Sequence, residues 1–147
     1  MSEVMMVQLF IGSVSLIGPG IGAFLLFRKY KKVCETFMFS EKEFTVFKSR
    51  FQVYLAMVTC PFVLGLFEAL TLGKEHGAVS YLVVIAGLLA CVVNCVSGIL
   101  QGLVARKSVS AELIANADLF HKGIIKMGLL EMLPTIALVL YVLSENI

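Results

Sequence analysis

The chain has 147 residues, of which 59% are hydrophobic, and a mean hydropathy of +0.96; a soluble domain of this size is nearer half apolar. The excess must be buried against lipid, which excludes an ordinary soluble enzyme. The net charge of +2 is small, and its basic residues follow membrane topology rather than a nucleic-acid surface.

The first apolar run, Val4–Phe27, is about the length that crosses a bilayer, roughly 20 residues. No basic segment precedes it and no small-residue cleavage site clearly follows, so it reads as a retained span rather than a signal peptide. It carries Gly18, Gly20 and Gly22 in alternation, with Gly12 before them. A polar connection follows, holding Arg28, Lys29, Lys31, Lys32, Lys42, Lys48 and Arg50, with Phe37, Phe39, Phe44 and Phe47 among the charges. Those aromatics are expected at the headgroup zone, with docking of a soluble partner as the alternative. The second span, Phe51–Leu72, contains Thr59, Cys60, Pro61 and Glu68. A short turn, Gly73–Val79, with Lys74 and His76, leads to the third span, Ser80–Val104. There Gly98 and Gly102 form a small-xxx-small pair beside Ser97 and Gln101, with Asn94 two turns from Gln101 on nearly the same face. The stretch 106–117 has no strong breaker, so the helices are expected to continue past the membrane surface before turning, and the same is expected of the first connection. The fourth span, Gly123–Leu143, contains Glu131 and Pro134. His121 precedes it at an aqueous end.

With no water in the bilayer core, each span must satisfy its own backbone and should be an α-helix. The chain is therefore expected to be an all-α membrane protein, one domain over 1–147, built as two tandem helical hairpins at 4–73 and 80–145. Each half runs from a glycine-bearing span through a basic connection to a span with a proline and an acid, which suggests a duplication. Eleven of the twelve basic residues lie in or beside connections one and three, and only Lys74 lies on the other side. The positive-inside rule puts those connections in the cytoplasm and both termini outside. Glycines let backbones approach closely in membranes. Their concentration in spans one and three suggests a crowded inner layer, with spans two and four outside it. Cys91 and Cys95 share a helix face without a His or acid beside them, so they read as small buried hydrophobes rather than a metal pair.

Glu131 stands out because an ionisable group at bilayer depth costs about 2.5–3.5 kcal/mol on insertion scales, which makes it a functional candidate. It is nine residues beyond Lys122, or about 13 Å at 1.5 Å per residue. That is near the centre of a hydrocarbon core roughly 30 Å thick. It should therefore be protonated or paired with a cation. Pro134 removes one backbone hydrogen bond close by and exposes a carbonyl. Gln101 is the expected partner of Glu131; its alternative role, shared with Asn94, is helix–helix adhesion. Glu68, five residues from Gly73, is expected to sit at the outer interface and reach water, with a part in ion binding as the second option. Thr59 and Pro61 are weaker candidates for the same site. No cation of this chain lies at the depth of Glu131, so any compensating charge must come from another polypeptide, a bound cation or water.

The stretch Ser97-Gly98-Ile99-Leu100-Gln101-Gly102-Leu103-Val104-Ala105, followed by His121-Lys122-Gly123-Ile124-Ile125 and Leu130-Glu131, resembles the second hairpin of the rotary ATPase proteolipid, the subunit K or subunit c family of V/A-type enzymes. Glu131-Met132-Leu133-Pro134 resembles the acid-x-x-proline of F-type subunit c. The resemblance implies a homo-oligomeric membrane ring in which Glu131 carries the ion and Gln101 assists it. It further implies a stator membrane subunit that supplies an arginine, and central-stalk subunits at the cytoplasmic loops. Sodium-binding relatives have Pro-Gly-Thr-Gln-Gly-Leu-Tyr in span two, whereas this chain has Pro61-Phe62-Val63-Leu64-Gly65-Leu66-Phe67. A hard cation such as sodium needs several oxygens, so protons are expected and sodium is the alternative. Phe24 and Phe27 stand where that family has small residues.

The expected role is thus a non-enzymatic, proton-carrying rotor subunit of a V/A-type ATPase, multi-pass in the membrane, with no bound cofactor and no nucleic-acid partner. A small four-span proton-coupled transporter and a plain membrane scaffold are the rivals from other classes.

Overall fold

The computed structural model describes residues 3–72 and 81–145. The expected Gly73–Val79 turn, with Lys74 and His76, and the position of Ser80 lie outside the described residues, as do the two termini.

Four helices account for nearly all of it: α1 (Glu3–Thr36), α2 (Glu41–Thr71), α3 (Tyr81–Ser108) and α4 (Ala117–Glu145). Each is long and apolar enough to cross a membrane, as in an integral multi-pass membrane protein. Large apolar side chains point outward along every helix, among them Phe24 at 65%, Leu89 at 63%, Leu129 at 61% and Leu140 at 60% exposure. In water such a surface would be an aggregation liability; in lipid it is the matching solvent.

The helices outrun the apolar spans. With 34 residues, α1 is about 51 Å long at 1.5 Å per residue, well beyond a hydrocarbon core of roughly 30 Å. The first connection therefore shrinks to the four residues Phe37–Ser40. Ser40 ends it by capping α2: its hydroxyl accepts from the Glu43 N–H at 3.4 Å, and the Glu43 carboxylate accepts from the Ser40 N–H at 2.9 Å. This reciprocal capping box satisfies two donors that a helix start leaves unpaired.

In the third connection, as expected, both helices continue past their spans: α3 runs beyond Val104 to Ser108 and α4 begins at Ala117, with a single 3-10 turn, Ala111–Leu113, between them. Three interactions account for the break. Val109 and Leu113 are fully buried, which turns the chain inward. The Arg50 guanidinium donates to the carbonyls of Leu113 and Ile114 and lies 5.2 Å from the centre of the Phe120 ring. Asn116 caps α4 by accepting from the Leu119 N–H at 3.0 Å.

The aromatics of the first connection differ from a headgroup fringe. Phe47 is fully buried. It stacks on Tyr30 at 5.4 Å and on Phe39 at 5.0 Å, and Tyr30 in turn stacks on Phe51 at 4.1 Å. These rings bind the extensions of α1 and α2 to each other; Phe37 and Phe44 alone of the four stay exposed.

The most extensive contact is between α1 and α3. A Cβ at Gly18 would collide with the backbone of Cys95, one at Gly22 with Gly98, and one at Gly102 with Gly22. A Cβ on Gly98 would lie 2.6 Å from Cδ of Pro19. The missing side chains thus bring two backbones into direct contact, the packing that small residues permit in lipid. Gly12 and Gly20 have no such role. The residue pairs also give direction: positions 18 and 22 meet 95 and 98, so α1 and α3 run parallel. Helices α2 and α4 pack against this pair from outside, antiparallel to it, with Gly65 facing Ser15 and Gly87 facing Tyr141. Phe24 and Phe27 turn away from the glycine contact and are largely exposed.

Two apolar clusters hold the bundle. One, with Leu26, Phe47, Tyr54, Val58, Val109 and Met127, lies toward the basic end. The other, with Ile11, Leu72, Cys91 and Tyr141, lies toward the opposite end. The glycine–proline contact and the interior polar residues other than Ser144 fall between them in sequence position.

Candidate functional site

Glu131 is the middle residue of the 29-residue helix α4. Proline at 134 cannot donate to the carbonyl four residues before it, and that carbonyl belongs to Leu130. In lipid an orphaned carbonyl needs a partner from the protein. It has one: the Ser97 hydroxyl of α3 donates to Leu130 O at 3.1 Å. Gln101, one turn along α3, directs its amide nitrogen at two acceptors. It donates to Ser97 Oγ at 3.1 Å and to the Glu131 carboxyl. The chain of donors is complete, since both amide hydrogens and the serine hydrogen are used. Ser97 and Gln101 are almost entirely buried, and Glu131 is half-buried.

The other side of Glu131 is open. A recess of about 200 Å³ runs along the outer face of α4 between Gly128, Glu131, Met132, Thr135 and Ile136. A Cβ at Gly128 would meet nothing within 4 Å, so the approach to the carboxyl is clear on that side. The Thr135 hydroxyl does not enter the site; it donates to the backbone carbonyl of Glu131 at 2.9 Å. Among the described residues no lysine or arginine pairs with Glu131. Gln101 Oε1 is buried without a hydrogen-bond partner, which leaves one acceptor in reserve beside the acid.

Glu68 is not where the sequence suggested. It lies three residues from the end of α2, close to an interface in depth, yet it is 0% exposed. The reason is lateral: it points between helices rather than along the membrane surface. The Asn94 amide of α3 donates to Glu68 Oε2 at 3.2 Å. The Tyr141 hydroxyl of α4 lies 3.1 Å from the backbone carbonyl of Glu68 and 2.8 Å from Glu145 Oε1. The choice left open for Asn94 resolves to an acid partner, though a different acid from Glu131.

Thr59 and Pro61 do not join the Glu131 network. The Thr59 hydroxyl donates to the carbonyl of Ala56 at 2.8 Å, within its own helix, and Pro61 is buried packing. The stretch that matches the sodium ligands of span two brings no oxygen inward: Val63 is 61% exposed and Phe67 is 50% exposed. His121 is exposed beside Phe120.

Sequence reasoning missed three contributors. Ser97 was visible as a small residue beside the glycines, and its signal was the serine one turn before Gln101 and opposite a proline-freed carbonyl. Gly128, which leaves the recess open, had only its one-turn spacing from Glu131 to identify it. Ser15, fully buried beside Gly65, had no local signal. Neither models of known protein families nor curated protein sequences match the chain, so the geometry of these residues carries the functional argument.

Proposed function

We propose that the chain is the membrane rotor subunit of a V/A-type ATPase or ATP synthase, assembled as a homo-oligomeric ring of two-hairpin subunits, with Glu131 as the proton carrier. The observation that supports this reading is the asymmetric setting of Glu131. One side is held by the Gln101–Ser97–Leu130 hydrogen bonds, and the other borders a recess on the outward face of α4.

In this mechanism Glu131 crosses the lipid-facing part of each turn as the neutral acid, because an unpaired carboxylate there is costly. Gln101 fixes its orientation by donating to one carboxyl oxygen. Where a stator subunit offers water and an arginine, the proton passes to water and the carboxylate pairs with the guanidinium in a charge-assisted bond. A proton from the other aqueous side then restores the acid, and the neutral site moves on. The chain itself hydrolyses nothing. Its basic loops face the cytoplasm in this reading and meet the central stalk.

Protons are favoured over sodium by the oxygen count. Where sodium-binding relatives carry Thr, Gln and Tyr in span two, this chain has Val63, Leu64 and Phe67, so that stretch adds no side-chain oxygen to the Glu131 carboxyl and Gln101 Oε1. A hard cation needs several oxygens.

Glu131→Gln keeps an amide acceptor for Gln101 and removes the ionisable group. It is expected to insert normally and to abolish coupled proton translocation in the reconstituted complex; retained pumping would reject the role. Carbodiimide labelling of Glu131 is expected to be indifferent to sodium, and protection by sodium would replace the proton with that ion. A large single-component ring measured as an intact mass in mild detergent is the expected assembly. A monomer or dimer would favour the transporter reading instead.

A further inference from the structure

The described residues contain a second acid–amide pair, built like the first but closed on all sides. At the Glu131 site the Gln101 amide nitrogen donates to one carboxyl oxygen while the amide oxygen has no partner. At Glu68 the Asn94 nitrogen donates to Oε2, while Glu68 Oε1 and Asn94 Oδ1 are both buried without a partner. Asn94 precedes Gln101 by seven residues on α3, about 10 Å along the axis. Both amides therefore present the same face of one helix to acids on different neighbours.

The pair at Glu68 is not a copy of the Glu131 site. Glu131 precedes Pro134 by three residues, and the same offset from Pro61 falls on Val58, ten residues from Glu68. Its surroundings differ too. Glu68, Asn94 and Ser15 are each 0% exposed. Gly65 keeps the space tight: a Cβ there would collide with Ser15 and lie 3.2 Å from Asn94 Nδ2. Among the described residues, the groups around Glu68 bring no positive charge. They are Asn94 and the thiol of Cys91 on α3 and Tyr141 on α4, itself against Glu145, with Ser15 of α1 one turn away beside Gly65.

Glu68 Oε1, Asn94 Oδ1 and the nearby Ser15 Oγ are three buried oxygens without a hydrogen-bond partner, an arrangement that buried polar groups rarely tolerate. One proton resolves two of the three. Placed on Glu68 Oε1, it donates to Asn94 Oδ1 and closes a two-bond ring with the existing Asn94 N–H to Oε2 bond. We infer that Glu68 and Asn94 form a second proton-binding site, in which the proton is resident rather than carried. Glu68 takes it from water as –COO⁻ plus H⁺ giving –COOH, and the enclosure then traps it. The role is to join α2 to α3 through a neutral acid–amide ring at the end of the bundle opposite the basic loops. This inference does not depend on the rotor reading.

The test uses the full chain in phosphatidylcholine vesicles at neutral pH, with ¹³C at glutamate side-chain carboxyls. Glu131→Gln removes the carrier acid from the spectrum. In that background infrared spectroscopy is expected to show a protonated-acid carbonyl band that shifts with the label, disappears in Glu131→Gln/Glu68→Gln and changes frequency in Asn94→Leu. Absence of the band in Glu131→Gln, or its survival when Glu68 is also replaced, overturns the inference without touching the Glu131 role. The wild-type chain supplies a check that needs no Glu68 variant. On transfer to D₂O the Glu131 band is expected to move first and the second band to lag, and simultaneous exchange would overturn the resident assignment.

Discussion

The bond from Ser97 to Leu130 allows a quantitative test of how this membrane helix tolerates its proline. Pro134 leaves the Leu130 carbonyl without its helical donor, and the Ser97 hydroxyl replaces that donor at 3.1 Å. Ser97→Ala is a small change at a position only 1% exposed, so it creates no clash. It leaves the Leu130 carbonyl and one Gln101 N–H unpaired. Leaving a buried polar group unsatisfied costs about 1–3 kcal/mol, but interhelical bonds in membranes average only about 0.6 kcal/mol, with a maximum near 1.7. A loss of roughly 1–2 kcal/mol is therefore expected for the two groups together. Pro134→Ala restores a backbone N–H that can reach Leu130 O, which makes the serine bond partly redundant. In the Pro134→Ala background Ser97→Ala should then cost less, by roughly 0.5–1 kcal/mol of coupling. Reversible unfolding in lipid–detergent bicelles, followed by helical circular dichroism across the four-protein cycle, measures that coupling. Effects that add to within about 0.3 kcal/mol would refute the idea that Ser97 compensates for the proline.

Further outcomes follow from the packing. Gly102→Val drives a branched side chain into the backbone of Gly22, where no flexible group can give way; overpacking of this kind costs about 1–3 kcal/mol or more. A lower unfolding midpoint in bicelles is expected, whereas Gly20→Val, which meets nothing within 4 Å, should leave the midpoint near wild type. Equal effects at the two glycines would contradict the close α1–α3 contact. Arg50→Ala frees the carbonyls of Leu113 and Ile114 and removes the contact with Phe120; faster amide exchange confined to 109–116 is expected, and unchanged protection there would show that burial of Val109 and Leu113 suffices.

Four membrane-length helices were legible in the sequence because runs of this hydropathy have few alternatives in lipid, and backbone satisfaction leaves only the helix. Glu131 was legible for the same reason: a charge at mid-span is conspicuous against its neighbours. Gln101 was legible as a partner because amides are rare in such runs. The end of α3 was not, since it depends on Arg50, distant in sequence, reaching the carbonyls of Leu113 and Ile114. Nor was the setting of Glu68. Counting residues to the end of a span gives depth along the membrane normal, and Glu68 is indeed near the end of α2. Whether a side chain at that depth meets water or another helix is decided by rotation about the helix axis, which only the packing of α3 and α4 against α2 determines. Ser97 shows the same division. Its sequence position announced a small residue suited to close packing, but its hydrogen bond requires α4 to present the carbonyl that Pro134 leaves free. Hydropathy and residue type thus determined what crosses the membrane and which groups are costly there. The tertiary structure decided which of those groups meet, because a helix fixes the spacing of its own side chains but not the faces its neighbours bring to them.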